Sequence, residues 1–162
     1  MSDLESRLAE LEQRVQTLQD ELEVHRVIVT YGLAVDIGDA DRTANVYTED
    51  TVFEVDGRSD MAGRKGVREM VRGSGHQSLL PNCAHTIGPA VVKVDGDQAY
   101  ATGYSRIYHR QGDDYNLFRV SMNRWRLERR DGRWQIAHRQ ATMIGNPGAH
   151  DIFRAGLRDL ES

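Results

Sequence analysis

The second half of the chain is a series of long alternating runs separated by tight turn signals, and this limits the possible folds more than any other feature. His85 to Val94 leads into Asp95-Gly96-Asp97, and Gln98 to His109 leads into Gln111-Gly112-Asp113-Asp114. Tyr115 to Arg129 then leads into Asp131-Gly132, and Trp134 to Met143 closes the series. Asp-Gly and Gly-Asp pairs supply the positive φ angles of tight hairpins, so the runs predict consecutive antiparallel strands. TVFEV at 51–55 alternates in the same way and predicts one more strand upstream.

The first half carries helical spacing. Leu4, Leu8, Leu11, Val15, Leu18 and Leu22 recur at alternating intervals of four and three, the seam of a coiled coil. After Leu22 the stripe broadens through Val24, Val27, Ile28, Tyr31 and Val35, as suits a helix lying on a domain. Gly38 and Asp39 stop this helix, and Asp39 or Asp41 can cap a short second one running to Tyr47. Lys65 to Val71 predicts a further short helix, ended by Gly73-Ser74-Gly75. The expected organisation is a coiled-coil arm over 1–23, one domain over 24–145 and a C-terminal tail over 146–162. Helices followed by hairpin-linked strands predict an α+β fold, a curved antiparallel sheet whose helices close a pocket.

Composition narrows the function. A net charge of −4 argues against nucleic acid as a partner, although residues 104–139 hold nine Arg against four Asp and Glu. No apolar run has the length of a membrane span, so no membrane partner is expected. The single cysteine, Cys83, excludes an internal disulfide framework and fits a cytoplasmic location. The histidines show no metal-ligand spacing, and Gly73-Ser74-Gly75 lacks the lysine of a phosphate loop.

Polar side chains on apolar lines mark the candidate site. Asp36 continues the line of Val29, Gly32 and Leu33 into the last helical turn, where the helix dipole disfavours a carboxylate. It therefore needs a cation or an imidazole N–H as partner. His85 opens a strand after Pro81-Asn82-Cys83-Ala84, and a buried aspartate on one ring nitrogen would leave the other free as a base. Arg139 stands between Ala137 and Ala141 on the strand face opposite Trp134, Ile136 and His138, with room to reach a cavity as an oxyanion ligand. Tyr31 lies on the apolar stripe of the Asp36 helix and offers a hydroxyl donor. Phe53, Met70, Tyr104 and Met122 are candidate walls. Cys83 and His85, two apart, have the spacing of a thiolate–imidazole pair but no surrounding thiol-enzyme signature.

These residues, with the segments YGLAVDIGD, YTEDTVF, NCAHTIG and LERRDGRWQIAHR, resemble the SnoaL-like branch of the nuclear-transport-factor-2-like superfamily, the cystatin-like α+β cone. The resemblance runs from about Val24 to Met143. Tyr31, Asp36, His85 and Arg139 match the pattern of bile acid 7α-dehydratase. Hexachlorocyclohexane dehydrochlorinase is similar in its Asp–His dyad and in an Arg five residues after a Trp, but has lysine in place of Tyr31. Scytalone dehydratase shares the dyad, and Ser121-Met122-Asn123 resembles its pocket strand, with His109 a possible second pocket histidine. The resemblance implies a cofactor-independent, metal-free lyase, dehydratase-like, acting on a small hydrophobic cyclic hydroxylated substrate such as a steroid or polyketide. Catalysis would rest on Tyr31, Asp36, His85 and Arg139, and binding on Phe53, Met70, Tyr104, Ser121, Met122 and Asn123. It also implies a homo-oligomer, a trimer first and a dimer second. The alternatives are a non-catalytic ligand-binding or assembly module of the same fold, like a dioxygenase small subunit, or an isomerase using the same base.

Overall fold

A computed structural model describes residues 3–161. The chain forms α1 (Asp3–Asp36), α2 (Ala40–Asn45), β1 (Tyr47–Val55), β2 (Arg58–Ala62), α3 (Gly63–Arg72) and α4 (Ser74–Gln77). It continues through β3 (Cys83–Asp95), β4 (Gln98–Gln111), β5 (Asp114–Arg130), β6 (Arg133–Met143) and α5 (Ala149–Glu161). The six strands make one sheet in the order β2-β1-β6-β5-β4-β3.

The hairpins follow their turn chemistry. Gly96, Gly112, Asp131 and Gly132 all adopt positive φ, which keeps the strands of β3 through β6 antiparallel in chain order. The same pair recurs at Asp56-Gly57, with φ of 51° and 77°, and folds β2 back on β1. That hairpin escaped the sequence reading, although its signal is the one used at 131–132. One junction departs from the antiparallel pattern: β1 lies parallel to β6. Helix α2 is capped by Asp39, whose Oδ1 accepts from the Arg42 amide at 2.9 Å.

Helix α1 is continuous across the expected boundary between arm and domain. Leu4, Leu8, Leu11, Val15, Leu18 and Leu22 are all exposed, whereas Val24, Ile28, Tyr31 and Val35 are buried against the sheet. The domain takes hold of the helix slightly earlier, at Asp20. Its carboxylate is 4% exposed and accepts from Trp134 Nε1 at 3.0 Å and Arg129 Nη1 at 2.7 Å. The exposed stripe also persists past Leu22, through Val29, Leu33 and Ile37. So α1 carries two apolar faces in its second half, one in the core and one outside.

The core lies between α1, α3 and the inner sheet face, where Tyr47, Trp125, Leu127, Ile136, Val67 and Val71 are buried. On the outer face α5, within the segment expected as a tail, packs on β4 and β5. Phe153 meets Tyr104 edge-on at 4.9 Å, and Asp159 pairs with Arg124 at 2.5 Å. Gly156 permits this contact, because a Cβ there would lie 2.6 Å from Thr102 Oγ1. Beyond α5 the outer face is a lattice of Arg126, Glu128, Arg130, Asp50, Glu54 and His138, the usual solvated side of such a sheet. No helix of the described residues is long and apolar enough to cross a membrane.

Asp20 provides a test of where the domain begins. Asp20→Ala leaves the Trp134 indole N–H and an Arg129 guanidinium bond without their acceptor. The expected loss is ~1–3 kcal/mol in urea unfolding; an unchanged midpoint would place the start of the domain after this residue.

Candidate functional site

The site is assembled at the last turn of α1. Gly32 makes the approach possible: a Cβ at this position would fall 2.4 Å from the His85 carbonyl oxygen, so only glycine lets α1 and β3 touch here. One turn later Asp36 faces the same strand. Its Oδ2 accepts from the His85 backbone N–H at 2.7 Å, and its Oδ1 lies 2.6 Å from His85 Nδ1. The Cys83 thiol donates to Oδ1 at 3.6 Å. A carboxylate set against the helix dipole is thus met by three donors, the imidazole partner that its position demanded. Because the carboxylate accepts at Nδ1, that nitrogen carries the proton, and in the neutral ring Nε2 is a lone pair. The ring lines a cavity of about 350 Å³, within the ~300–1,000 Å³ of small-molecule pockets.

Tyr31, Phe53 and Arg139 form the inner wall. Tyr31 is 5% exposed and meets His85 edge-on, with ring centroids 6.2 Å apart. Burial raises the pKa of its hydroxyl, and the neighbouring Arg139 offsets this only in part, so the group stays a protonated donor at neutral pH. Arg139 is 4% exposed. Its Nε and Nη2 donate to Asn123 Oδ1 at 3.2 and 3.0 Å, and its Nη1 donates to the Tyr47 hydroxyl at 3.3 Å. Its guanidinium carbon also lies 4.4 Å from the Tyr31 ring centroid and 4.6 Å from that of Phe53. Burial works against the charge, but Tyr47 and Tyr31 outweigh it and raise the pKa above the ordinary arginine value. Among the described residues no carboxylate pairs with Arg139, so it delivers an unneutralised positive charge beneath Tyr31.

The placement of Arg139 requires a correction of the facing expected for β6. Ile136 pairs with Leu127 and His138 with Arg126, so β6 holds one extra residue, Ala137, at a bulge. The bulge changes the parity of the strand. Trp134 and Ile136 before it, and Arg139 and Ala141 after it, all share the inner face, while His138 turns outward to Glu54 at 2.7 Å.

Of the other expected binding residues, Phe53, Met70 and Ser121 line the cavity. Tyr104 and Met122 do not. They are paired across β4 and β5 on the outer face, where α5 covers Tyr104, because Ser105 and Ser121 beside them take the inward positions. Asn123 faces inward but lies under the floor, where its Nδ2 donates to Ser105 Oγ at 2.8 Å and its Oδ1 holds Arg139. His109 packs on Phe118, with centroids 6.1 Å apart, and is not part of the cavity lining.

The cavity residues missed by the sequence reading include Arg58, Arg119 and His76. Arg119 reaches in from β5, ion-paired to Asp56 at 2.9 Å. Burial raises the Asp56 pKa, but the Met143 amide and Arg119 outweigh it and hold the carboxyl below its ordinary value. His76, on α4, is 9% exposed and places Nε2 2.8 Å from the Val35 carbonyl. Period-two alternation marked Arg119 as inward, the same parity as Ser121. For His76 no local signal existed.

One group of potential metal ligands converges among the described residues. The ligand atoms of Asp36, Cys83 and His85 lie within 4.8 Å of one another. Burial and the Asp36 charge push the Cys83 thiol up to about 11, so it is a neutral donor at pH 7 rather than a thiolate nucleophile or ready ligand.

The sequence model of the SnoaL-like domain family matches residues 16–140. An NTF2-like protein with a cystatin-like fold from Novosphingobium aromaticivorans is 31% identical, with a TM-score of 0.85 over 90% of this chain and 96% of that one. A protein of unknown function from Mycobacterium tuberculosis, solved with an aspartate replaced by asparagine, is 21% identical, with a TM-score of 0.69 over 99% and 94% of the two chains. A further Novosphingobium aromaticivorans protein, assigned as a scytalone dehydratase, is 15% identical, with a TM-score of 0.68 over 78% and 85%. The last two likenesses concern the fold alone. No curated protein matches the chain significantly.

Gly32→Ala tests the contact on which this geometry rests. The added methyl gains ~1 kcal/mol of helix propensity, but overpacking against backbone typically costs ~1–3 kcal/mol. The expected outcome is a less stable protein in which the Asp36–His85 hydrogen bond is lengthened, read as an upfield shift of the His85 Nδ1 proton in NMR. A downfield resonance as in the wild type would show that α1 can retreat without disturbing the pair.

Proposed function

The chain belongs to the SnoaL-like domain family, and from that premise we propose that it is a cofactor-independent lyase removing water from a hydrophobic, cyclic, hydroxylated substrate. The observation that carries the reading is His85, held through Nδ1 by Asp36 at 2.6 Å, with its ring lining a largely apolar cavity and no partner for its other nitrogen among the described residues. In this reading Nε2 takes a proton from a carbon next to a carbonyl, and Asp36 stabilises the imidazolium. Tyr31 donates to the carbonyl oxygen as negative charge develops there, and Arg139 supports that charge from beneath Tyr31. The carbon–oxygen bond then breaks to form the alkene. The departing hydroxide takes the proton back from His85, so water leaves and the histidine is regenerated. One base serving both steps suits a syn elimination.

The exposed leucines of α1 support a second element of the proposal, that the arms of separate copies pair through Leu4, Leu8, Leu11, Val15, Leu18 and Leu22. Leucine at most seam positions leaves the number of strands open; a trimer is favoured and a dimer comes second.

Two experiments test these statements. After a screen of hydroxylated steroids and polyketide-like ketols, His85→Ala is expected to abolish turnover and Asp36→Asn to cost roughly 10⁴-fold. Tyr31→Phe should cost about 10²–10⁴-fold, and acidification should slow the wild type because protonated imidazole accepts no proton. An active His85→Ala variant with an unaltered pH profile would move the chemistry elsewhere. For the arm, the double substitution Leu11→Lys with Leu18→Lys should give folded monomers in sedimentation, whereas the wild type sediments as an oligomer. Equal masses for the two would end the pairing proposal.

A further inference from the structure

The cavity contains an imidazole that the elimination does not use. His76 Nε2 lies 2.8 Å from the Val35 carbonyl. A carbonyl only accepts, so Nε2 carries the proton, and Nδ1 of the neutral ring is a bare lone pair. Among the described residues no donor meets Nδ1. The ring lines the same cavity as His85, with centroids 5.8 Å apart and planes tilted by 54°. The two rings are held in opposite senses: His85 is anchored at Nδ1 and offers Nε2, while His76 is anchored at Nε2 and offers Nδ1.

A purely structural role explains half of this. The bond to Val35 ties α4 to the last turn of α1, but any donor of similar reach would do that. An unpaired imidazole nitrogen in a largely apolar cavity is a cost that an apolar side chain would avoid. The groups beside it do not supply a partner either. Asp36 is bound to His85, Arg119 to Asp56, and the Cys83 thiol donates to Asp36. The lone pair is therefore complementary to a donor that arrives with the ligand.

We propose that His76 Nδ1 accepts a hydrogen bond from a ligand hydroxyl, making it the residue that selects ligands with a second hydroxyl about one ring away from the atom addressed by His85. The placement relative to His85 rests on the lyase reading above; the hydroxyl-accepting role does not. The substrate class narrows to cyclic compounds with at least two oxygens, one polarised by Tyr31 and one donating to His76. A site built to bond a hydroxyl discriminates against the analogue lacking it, because the acceptor is then covered by the ligand and left unpaired.

Matched probes and two partial mimics of histidine separate this role from the structural one. The probes are 2-naphthol against 2-methoxynaphthalene, and estradiol against its 3-methyl ether, with affinities measured by calorimetry. His76→Gln retains a donor at the Nε2 position and loses the acceptor at the Nδ1 position; His76→Asn retains an acceptor near the Nδ1 position and loses the tether. The wild type is expected to prefer each hydroxyl compound over its ether by roughly 5- to 100-fold. His76→Gln should erase the preference at unchanged Tm, and His76→Asn should keep it at lowered Tm. Equal affinities for hydroxyl and ether in the wild type, including no binding of either, would overturn the proposal, as would a preference that survives His76→Gln. His85→Ala run in parallel should keep the preference, so a failed search for lyase activity leaves this outcome readable. Loss of the preference in His85→Ala alone would assign the acceptor to His85 instead.

Discussion

Everything at the site hangs on the C-terminal turn of α1. The end of a helix leaves carbonyls without intrahelical partners, and here they are put to use. The Val35 carbonyl accepts from the Gly38 amide and from His76, while the next residue, Asp36, holds His85 by two bonds. One turn of helix therefore orients both imidazoles. The opposing terms can be ranked. A carboxylate in this position loses ~0.3–1 kcal/mol to the helix dipole. A single charge-assisted hydrogen bond returns ~1.5–3 kcal/mol, and Asp36 accepts two from His85 alone. The placement is favourable only because Gly32 lets the strand come within reach.

The floor of the cavity solves a different problem, that of keeping a cation that no carboxylate among the described residues pairs with. Arg139 is surrounded by neutral acceptors and aromatic faces, with Asn123, Tyr47, Tyr31 and Phe53 taking the place of water. Asn123 is in turn held by Ser105 and the Ser121 carbonyl, so the arrangement extends across β4, β5 and β6. Such a charge is poorly neutralised by design of the fold and raises the value of any negative charge formed on a ligand above it. It also explains why Tyr31 and Arg139 work as a unit: one presents the hydroxyl, the other biases its surroundings.

The two faces of the sheet have separate tasks. The inner face is apolar or tied into the Arg139 network, and encloses the cavity. The outer face is a lattice of exposed ion pairs, worth little each, together with α5. The long helix links this domain to the outside through a second apolar stripe, which the core does not need.

Much of this was legible in the sequence because it depends on local chemistry. Asp-Gly pairs dictate positive φ, alternation dictates which residues share a strand face, and Asp36 on an apolar helical line demanded a donor partner. His85, Tyr31, Phe53 and Met70 followed from the same rules. What the tertiary structure alone decided lay where two elements set each other's geometry. The extra residue at Ala137 depends on pairing with β5 and β1, and it put Arg139 on the same face as Ile136. The parallel contact of β1 with β6 joins segments far apart in the chain. Tyr104 and Met122 went outward because hairpin register, not hydrophobicity, assigns the face, and α5 supplied them with cover. His76 carries no periodic signal, since a four-residue helix has no face to read. Its position came from a carbonyl of α1, an acceptor that every residue possesses and that only folding can aim.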